Sequence, residues 1–426
     1  MKLANIVLCA GFAALAGACA QPASEAENLT RWVDPKIGTG GHGHVFVGAN
    51  VPFGLVQVGP TSIPQDWDWC SGYHESDSTV IGFSHTHLSG TGIGDLFDVT
   101  VMPVVGEVTC ARGVEEDPLS GLWSYADRSK EVVEPGYYSV PLSRYGITAE
   151  MTATSRVGLH RYTFPASDDA AVVFDLENGG CWDKATETGF TFSEDSTRLS
   201  GWRYSTGWAR DQKVYFVAEF SKPAKGITYL QPGELDDSKM PRIAARYARV
   251  DFDMAEGEQL LMKVALSPVS IEGAEANLEA ELPGWNFEAT RLAADKAWND
   301  ELSKVRVETA DDAAKRIFYT ALYHTMVAPS EFCDANGDYR GADGQVRPNP
   351  GYKTYTTFSL WDTYRAAMPL MTILHPEKMP DVINTMLAIA DEQGRLPVWH
   401  LWGNETDCMV GNPGIPVVAD AIVKGI

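Results

Sequence analysis

The chain has 426 residues, 44% of them hydrophobic, and a formal net charge of -23. Such a chain can bury a sizeable core and exceeds one average domain. The acidic balance argues against nucleic acid or an anionic membrane surface as partner, since both are held by Lys and Arg patches. A neutral ligand fits better, and 12 Trp and 16 Tyr offer aromatic faces on which sugars stack, although most of them are expected in the core.

The N-terminus reads as a secretory signal over residues 1–20. Lys2 gives a short positive region, Ile6 to Leu15 is apolar, and Ala16 to Ala20 is small, too short a run to span a membrane. Two processing readings stand side by side. Ala18-Cys-Ala20 fits a cleavage site before Gln21, or Cys19 is a bacterial lipoprotein cysteine and a candidate lipid anchor. Either way the protein is expected to be exported, to the periplasm, the outer membrane or the medium. No later stretch is apolar enough to predict a transmembrane segment.

From residue 29 to 272 strand-like runs recur between turn signals: 146–153, 158–164, 170–176, 213–220, 246–252 and 259–265. Many short strands with few helical patterns predict a β-sandwich. The text then turns Ala/Glu/Lys-rich, and residues 273–305 read as a helical linker. Asp311 can cap an amphipathic helix with apolar or small positions at Ala314, Ile317, Phe318, Ala321, Leu322 and Thr325, and Pro329 ends it. Further helices are expected over 358–374, 381–390 and 415–424. No comparable strand pattern follows residue 305, so residues 306–426 are read as all-α. With few helices and a last one barely closed, this domain is expected to be incomplete. Cysteines 70, 110, 181, 333 and 408 lack C-x-x-C spacing, so neither a disulfide scaffold nor a zinc finger is expected, and at least one thiol should be free.

Several stretches concentrate chemistry. Phe83-Ser-His-Thr-His-Leu-Ser-Gly-Thr-Gly92 places His85 and His87 on one face if residues 81–87 form a strand. Metal ligation, ligand contact and a structural role all stay open, with Asp95 and Asp98 nearby as carboxylates. Trp67 and Trp69 share a face if their run is extended, as a sugar subsite would require. The glycines of 38–44 do not form a phosphate loop, because no Lys-Ser/Thr follows; they are expected to allow tight turns near a site. Asp362 and Arg365 are spaced to pair on a helix, with Trp361 beside them. Residues 396–409 carry Trp399, His400, Trp402, Asn404, Glu405 and Asp407 in what reads as a loop before a helix, a plausible binding site.

Together these stretches resemble glycoside hydrolase family 92, the calcium-dependent exo-α-mannosidases. The matching text is Val33-Asp-Pro-Lys-Ile-Gly-Thr-Gly-Gly40, Cys70-Ser-Gly-Tyr-His74, Gly82-Phe-Ser-His-Thr-His-Leu-Ser-Gly-Thr-Gly92, Trp361-Asp-Thr-Tyr-Arg365 and Glu405-Thr-Asp-Cys-Met-Val-Gly411. The end of the chain, Ala419-Asp-Ala-Ile-Val-Lys-Gly425, fits as well. The resemblance runs from about Trp32 to the last residue. It implies a β-sandwich, a helical linker and an (α/α)6 barrel of which this chain carries the first part. It implies a site between the domains where two carboxylates, about 6.5–9.5 Å apart, hydrolyse the bond with inversion, assisted by Ca2+. An oxygen-liganded ion does not suit His85 and His87, which become sugar-site or supporting residues.

The resemblance also implies roles for single residues. Asp362 matches the residue that touches the terminal mannose, and Trp67 or Trp69 lies where family members build the next subsite. The residues expected to meet substrate are Trp67, Trp69, Cys70, Ser71, His85, His87, Gly90, Asp95, Trp361, Asp362, Arg365, Trp399, Gly403, Glu405 and Thr406. The family's Gly-Asn-Glu-Pro acid motif has no match, Gly403-Asn-Glu-Thr406 being a look-alike. The acid, the base and most calcium ligands are therefore expected beyond Ile426. The expected activity is removal of terminal α-linked mannose, foremost α-1,2-linked, from mannans or N-glycans. Two alternatives are uncapping of mannose-1-phospho-6-mannose on the same fold, and mannoside binding without catalysis if the chain is complete.

Overall fold

The computed structural model describes residues 27–65, 67–110, 113–114, 116–117, 120–180, 182–230 and 245–426. The expected signal segment, Cys19 and Cys181 lie outside the described residues.

Two antiparallel sheets face each other across the main core. The six-stranded sheet runs, in spatial order, Gly59–Thr61, Gly82–Ser84, Thr100–Val105, Ser167–Asp175, Tyr247–Met254 and Gly226–Leu230. The eight-stranded sheet runs Lys184–Phe192, Arg198–Thr206, Gln212–Phe220, Gln259–Ser267, Val157–Thr163, Ile147–Ala153, Tyr137–Leu142 and Val132–Glu134. Alternation builds these strands: in Gln212–Phe220 the buried positions include Gln212, Val214, Phe216, Ala218 and Phe220, every second residue pointing inward. Phe216 meets Phe174 of the opposite sheet with ring centroids 6.0 Å apart. All six strands expected from the sequence are present, each shifted by at most a few residues.

Helix α1 (Ile271–Glu281) lies on the outer face of the larger sheet, where Ala274 and Leu278 bury against Val157, Leu159 and Val217. Its cap is Ser270, whose side chain accepts from Gly273 N. Helix α2 (Phe287–Leu302) turns back toward the N-terminal residues, and Trp298 Nε1 donates to Asn50 O at 2.8 Å. Helix α3 (Asp312–His324) is capped by Asp311, which accepts from Ala313 N and Ala314 N. The predicted apolar stripe on α3 is rotated. Tyr319, Thr320, Leu322 and Tyr323 are buried, whereas Ile317 is 61% and Phe318 38% exposed. The reason is the partner: Tyr323 packs on Trp298 at 4.3 Å, and Tyr319 OH donates to Val305 O.

The region expected as one helix over 358–374 is two: α4 (Leu360–Thr363) and α5 (Ala367–Leu374). Helices α6 (Met379–Gln393) and α7 (Gly414–Lys424) follow. The all-α reading of this part needs correction, because paired strands of two or three residues stand between the helices, among them Phe358–Ser359, Trp399–Leu401 and Asn404–Glu405. Such pieces are too short to show a period. Among the described residues the helices do not close a barrel.

A buried ion cluster joins the three parts. Arg156, from the sandwich, pairs with Glu281 of α1 at 2.6 Å and with Glu331 of the helical part at 2.9 Å, and its Nε donates to Cys333 O. Among the described cysteines, Cys333 and Cys408 are free thiols.

Candidate active site

A cavity of about 270 Å³ opens where the sandwich meets the helical part. One wall is the loop Ser89–Thr91. The other is built from the end of α3 with His324 and Thr325, the stretch Thr357–Thr363 that carries Asp362, and Trp399. Hydroxyls dominate the polar lining, and Asp362 is its one carboxylate. The side chain of Asp362 is exposed, and its Oδ2 accepts from Ser359 Oγ at 2.6 Å. The expected Asp362–Arg365 pair does not form. The helix breaks between them, Arg365 lies over Tyr364, and Trp361 with Arg365 lines a neighbouring cavity of about 370 Å³ beside Val410 and Gly411.

Trp399 is set by a two-residue hairpin rather than by the loop expected over 396–409. Trp402 and Gly403 occupy its turn with φ of 46° and 77°, the left-handed pair that such hairpins use. Glu405 fixes this hairpin. It accepts from Val398 N, Trp399 N and Asp407 N at 2.8, 3.0 and 3.1 Å. Thr406 Oγ1 donates to Trp399 O. Gly403, Glu405 and Thr406 thus hold Trp399 in place, and Trp399 meets Trp208 of the sandwich edge-on at 4.5 Å. The hairpin also bonds the sandwich directly, through Arg210 to Asp407 at 3.0 Å and Asp211 N to Asn404 Oδ1 at 3.0 Å.

Trp67 and Trp69 do not share a face, because residues 67–69 form a 3-10 turn. Trp67 is 50% exposed, and its Nε1 donates to Gly92 O at the end of the cavity loop. The glycine-rich stretch supports it: His44 packs edge-on against its ring at 4.2 Å, and Asp68 bonds His42 at 2.6 Å. Trp69 points away, donating to Asp77 at 2.7 Å and stacking on His74 at 4.4 Å. Cys70 and Ser71 are buried behind the loop, the Cys70 thiol against Thr91 O at 3.4 Å.

The histidines that dominate the sequence reading lie inside the protein. The strand stops at Ser84, so His85 and His87 do not project to one face. His85 is fully buried, with Nδ1 2.6 Å from Val99 O and Nε2 2.9 Å from His160 Nε2. His87 is buried, with Nδ1 2.8 Å from Gln57 O. Burial drives their pKa values down to about 3 and about 4, so both rings are neutral bridging groups. Both are buried and hydrogen-bonded inside the sandwich, and neither lines the cavity between Ser89–Thr91 and Asp362.

Asp95 is also fully buried and braces the site from behind. It accepts from Leu96 N and Ala209 N at 2.9 and 2.8 Å. Arg203, itself fully buried, bridges Asp98 at 2.7 Å and Asp183, and its Nε donates to Leu176 O. With Trp182 N donating to Gly94 O at 2.9 Å, the segments around Asp95, Asp183 and Ala209 are joined. Burial first, then the charge of Asp183, raises the Asp95 pKa to about 7. A folded value above the unfolded one near 3.8 means protonated Asp95 stabilises the fold. That contribution is complete at low pH and disappears as pH rises through about 7. The melting temperature is expected to fall between about pH 4 and pH 7 and to level off above, and Asp95→Asn to flatten that fall; an unchanged slope would exclude Asp95 as its source.

A second acidic cluster, Glu301, His375 and Glu377, stands where the linker meets α5. Lys304 Nζ lies within it, 2.7 Å from Glu301, 2.8 Å from Glu377 and 3.1 Å from His375. The ammonium already supplies the positive charge a metal would bring. A calcium ion takes about six to eight oxygen ligands, and the cavity offers the single carboxylate of Asp362, so the lining residues do not by themselves form a calcium shell.

The glycosyl hydrolase family 92 N-terminal domain matches residues 32–267, and the family's catalytic domain matches residues 273–426. The chain belongs to glycosyl hydrolase family 92. An α-mannosidase of this family from Bacteroides thetaiotaomicron, solved with mannoimidazole, is 38% identical, with a TM-score of 0.88 over 94% of this chain and 53% of that one. A family 92 inverting mannosidase from the same organism is 28% identical, with a TM-score of 0.79 over 93% of this chain and 53% of that one. A curated relative from Arthroderma benhamiae, described as an uncharacterized secreted glycosidase, is 24% identical over 94% of this chain and 50% of its own length. The chain thus spans about half the length of the relatives it matches.

Of the residues expected to meet substrate, Gly90, Asp362 and Trp399 line this cavity. The sequence reading missed His324, which ends an ordinary amphipathic helix and carries no motif.

Proposed function

We propose that the protein is an exported glycoside hydrolase that removes terminal α-linked mannose from mannose-containing oligosaccharides, foremost α-1,2-linked mannose, by inversion and with calcium. The observation that carries this reading is the cavity between Ser89–Thr91 and Asp362, hydroxyl-lined and placed at the junction of the two family 92 domains. Its small volume suits one sugar ring, hence an exo mode of action. The described names of the two Bacteroides relatives support mannose as that sugar. Asp362 and the surrounding hydroxyls can bind and orient the ring, while Trp67, half exposed and bonded to Gly92 O next to the loop Ser89–Thr91, offers a face to the next residue. Signal-like residues 1–20 support export, and among the described residues no helix is long and apolar enough to cross a membrane.

The test is release of mannose by the full-length protein from a panel of α-linked mannobioses and from mannose-1-phospho-6-mannose. Preference for α-1,2-mannobiose, abolished by EDTA and restored by calcium, is the expected result. Restoration by zinc alone would refute the calcium assignment, and cleavage of the phosphodiester alone would point to uncapping. Trp67→Ala should raise KM for mannobiose about tenfold, the scale of one lost aromatic–sugar stack, while leaving an aryl mannoside with a small leaving group little changed. Equal effects on both would remove Trp67 from the second subsite.

A further inference from the structure

We infer that His324 is a sugar-contacting residue of this cavity, its Nε2 meeting a hydroxyl of the same terminal hexose that Asp362 holds. The inference rests on the mannosidase reading and deepens it.

His324 is the last residue of α3 and lines the cavity together with Asp362. The helix end is closed without its side chain, since Thr325 N bonds back to Ala321 O and Leu322 O, and Thr325 Oγ1 donates to Leu322 O at 2.7 Å. Nothing in the backbone requires an imidazole here. Yet His324 Nε2 is a buried nitrogen with no hydrogen-bond partner in the protein, a state that destabilises unless a water or a ligand completes it.

Comparison with the other buried histidines sharpens the point. His85 and His160 bond each other, and His160 Nδ1 is 2.8 Å from Tyr162 OH. His87 bonds Gln57 O. His400 also has an unpartnered Nε2, but the space it lines is about 10 Å³, the size of a single water position. His44 Nε2 also lacks a hydrogen bond, but it faces Asp68 at 3.4 Å and does not line this cavity; His324 combines an unpartnered nitrogen with a cavity of about 270 Å³.

Several hydroxyls on the walls are already committed. Ser359 Oγ donates to Asp362, Thr363 Oγ1 to Ser359 O, and Ser89 Oγ accepts from Phe46 N. The imidazole therefore adds a polar contact the hydroxyls do not supply. Burial lowers the pKa of His324 to about 4, so the ring is neutral near neutral pH, with one donor and one acceptor nitrogen. A sugar hydroxyl donates and accepts, and so complements Nε2 in either tautomer.

The experiment is a titration of the full-length protein with free mannose, followed in a long-range 1H–15N spectrum of the imidazoles. The His324 Nε2 resonance is expected to shift saturably while His85 and His160 stay in place. His324→Ala should lower kcat/KM for an α-mannoside about tenfold, mainly through KM, as for one lost neutral hydrogen bond that leaves a partner unpaired. His324→Gln, which restores an amide donor and acceptor, should recover most of it. A stationary Nε2 while mannose binds elsewhere, or wild-type kinetics in His324→Ala, overturns the inference and leaves the mannosidase reading standing. A ring that answers glucose or galactose but not mannose keeps His324 as a sugar contact and overturns the mannoside reading instead. Should both variants unfold, the wild-type titration decides.

Discussion

Replacing Asp362 by Ala in the full-length protein should lower kcat/KM for α-mannosides about 100-fold, the upper range for loss of a hydrogen bond to a charged group. The direction follows from where Asp362 stands. It is the one carboxylate on the cavity wall, exposed, and tied to the protein by Ser359. A site built to hold a hydroxyl discriminates by leaving its own polar groups unpaired when the contact is missing. The same exposure means the fold does not depend on it, so stability should change by no more than about 0.5 kcal/mol. Turnover measured beside a thermal melt separates the two effects. Unchanged kinetics would remove Asp362 from the site, and a large drop in melting temperature would reassign it to structure.

The second large effect is expected at Arg203. Arg203→Met should destabilise the protein by about 3–5 kcal/mol, because it leaves the carboxylates of Asp98 and Asp183 buried without their shared cation. Thr86 and Gln212 still donate to Asp98, but neutral donors do not replace a charge. The loss should shrink in acid. Burial already raises the Asp98 pKa in the native protein, and removing Arg203 raises it further. A carboxyl whose folded pKa lies above its unfolded one favours the fold below the unfolded value and loses that support as pH climbs through the folded value. Urea unfolding at about pH 5 and pH 7 should therefore show the variant closer to the native protein at the lower pH. Equal losses at both would mean the carboxylates are not the source. Because Arg203 holds Asp98 and Asp183 together behind the segment that carries Asp95, mannose release should fall together with stability.

These two residues show what the sequence made legible. Asp362 stands out because Trp361-Asp-Thr-Tyr-Arg365 is a compact motif with a family match. Arg203 does not, since a single Arg in the strand Arg198–Thr206 looks like any solvent-facing charge until the fold places it between two aspartates from other loops. The same blindness explains His85 and His87. A dense run of polar side chains reads alike whether it faces a ligand or a large core that must satisfy its own polar groups. Here His85 is consumed by His160, 75 residues away in sequence.

The sandwich was legible because its longer strands alternate over seven to nine residues, enough to show a period of two. The edge strand Lys184–Phe192 escaped notice, since its outer half is largely solvated. For α3 the cap at Asp311 was readable but the buried face was not. Periodicity gives the width of an apolar stripe, while its orientation depended on Trp298 from α2. His324 went unnoticed for a related reason: its meaning lies in the space beside it, which only the packed structure reveals.

The most direct test is a crystal structure of the full-length protein with mannoimidazole. The account predicts the sugar ring in the cavity between Ser89–Thr91 and Trp399, with one hydroxyl on Asp362 and another on His324 Nε2. A ring bound elsewhere, or bound there without touching Asp362, would contradict it.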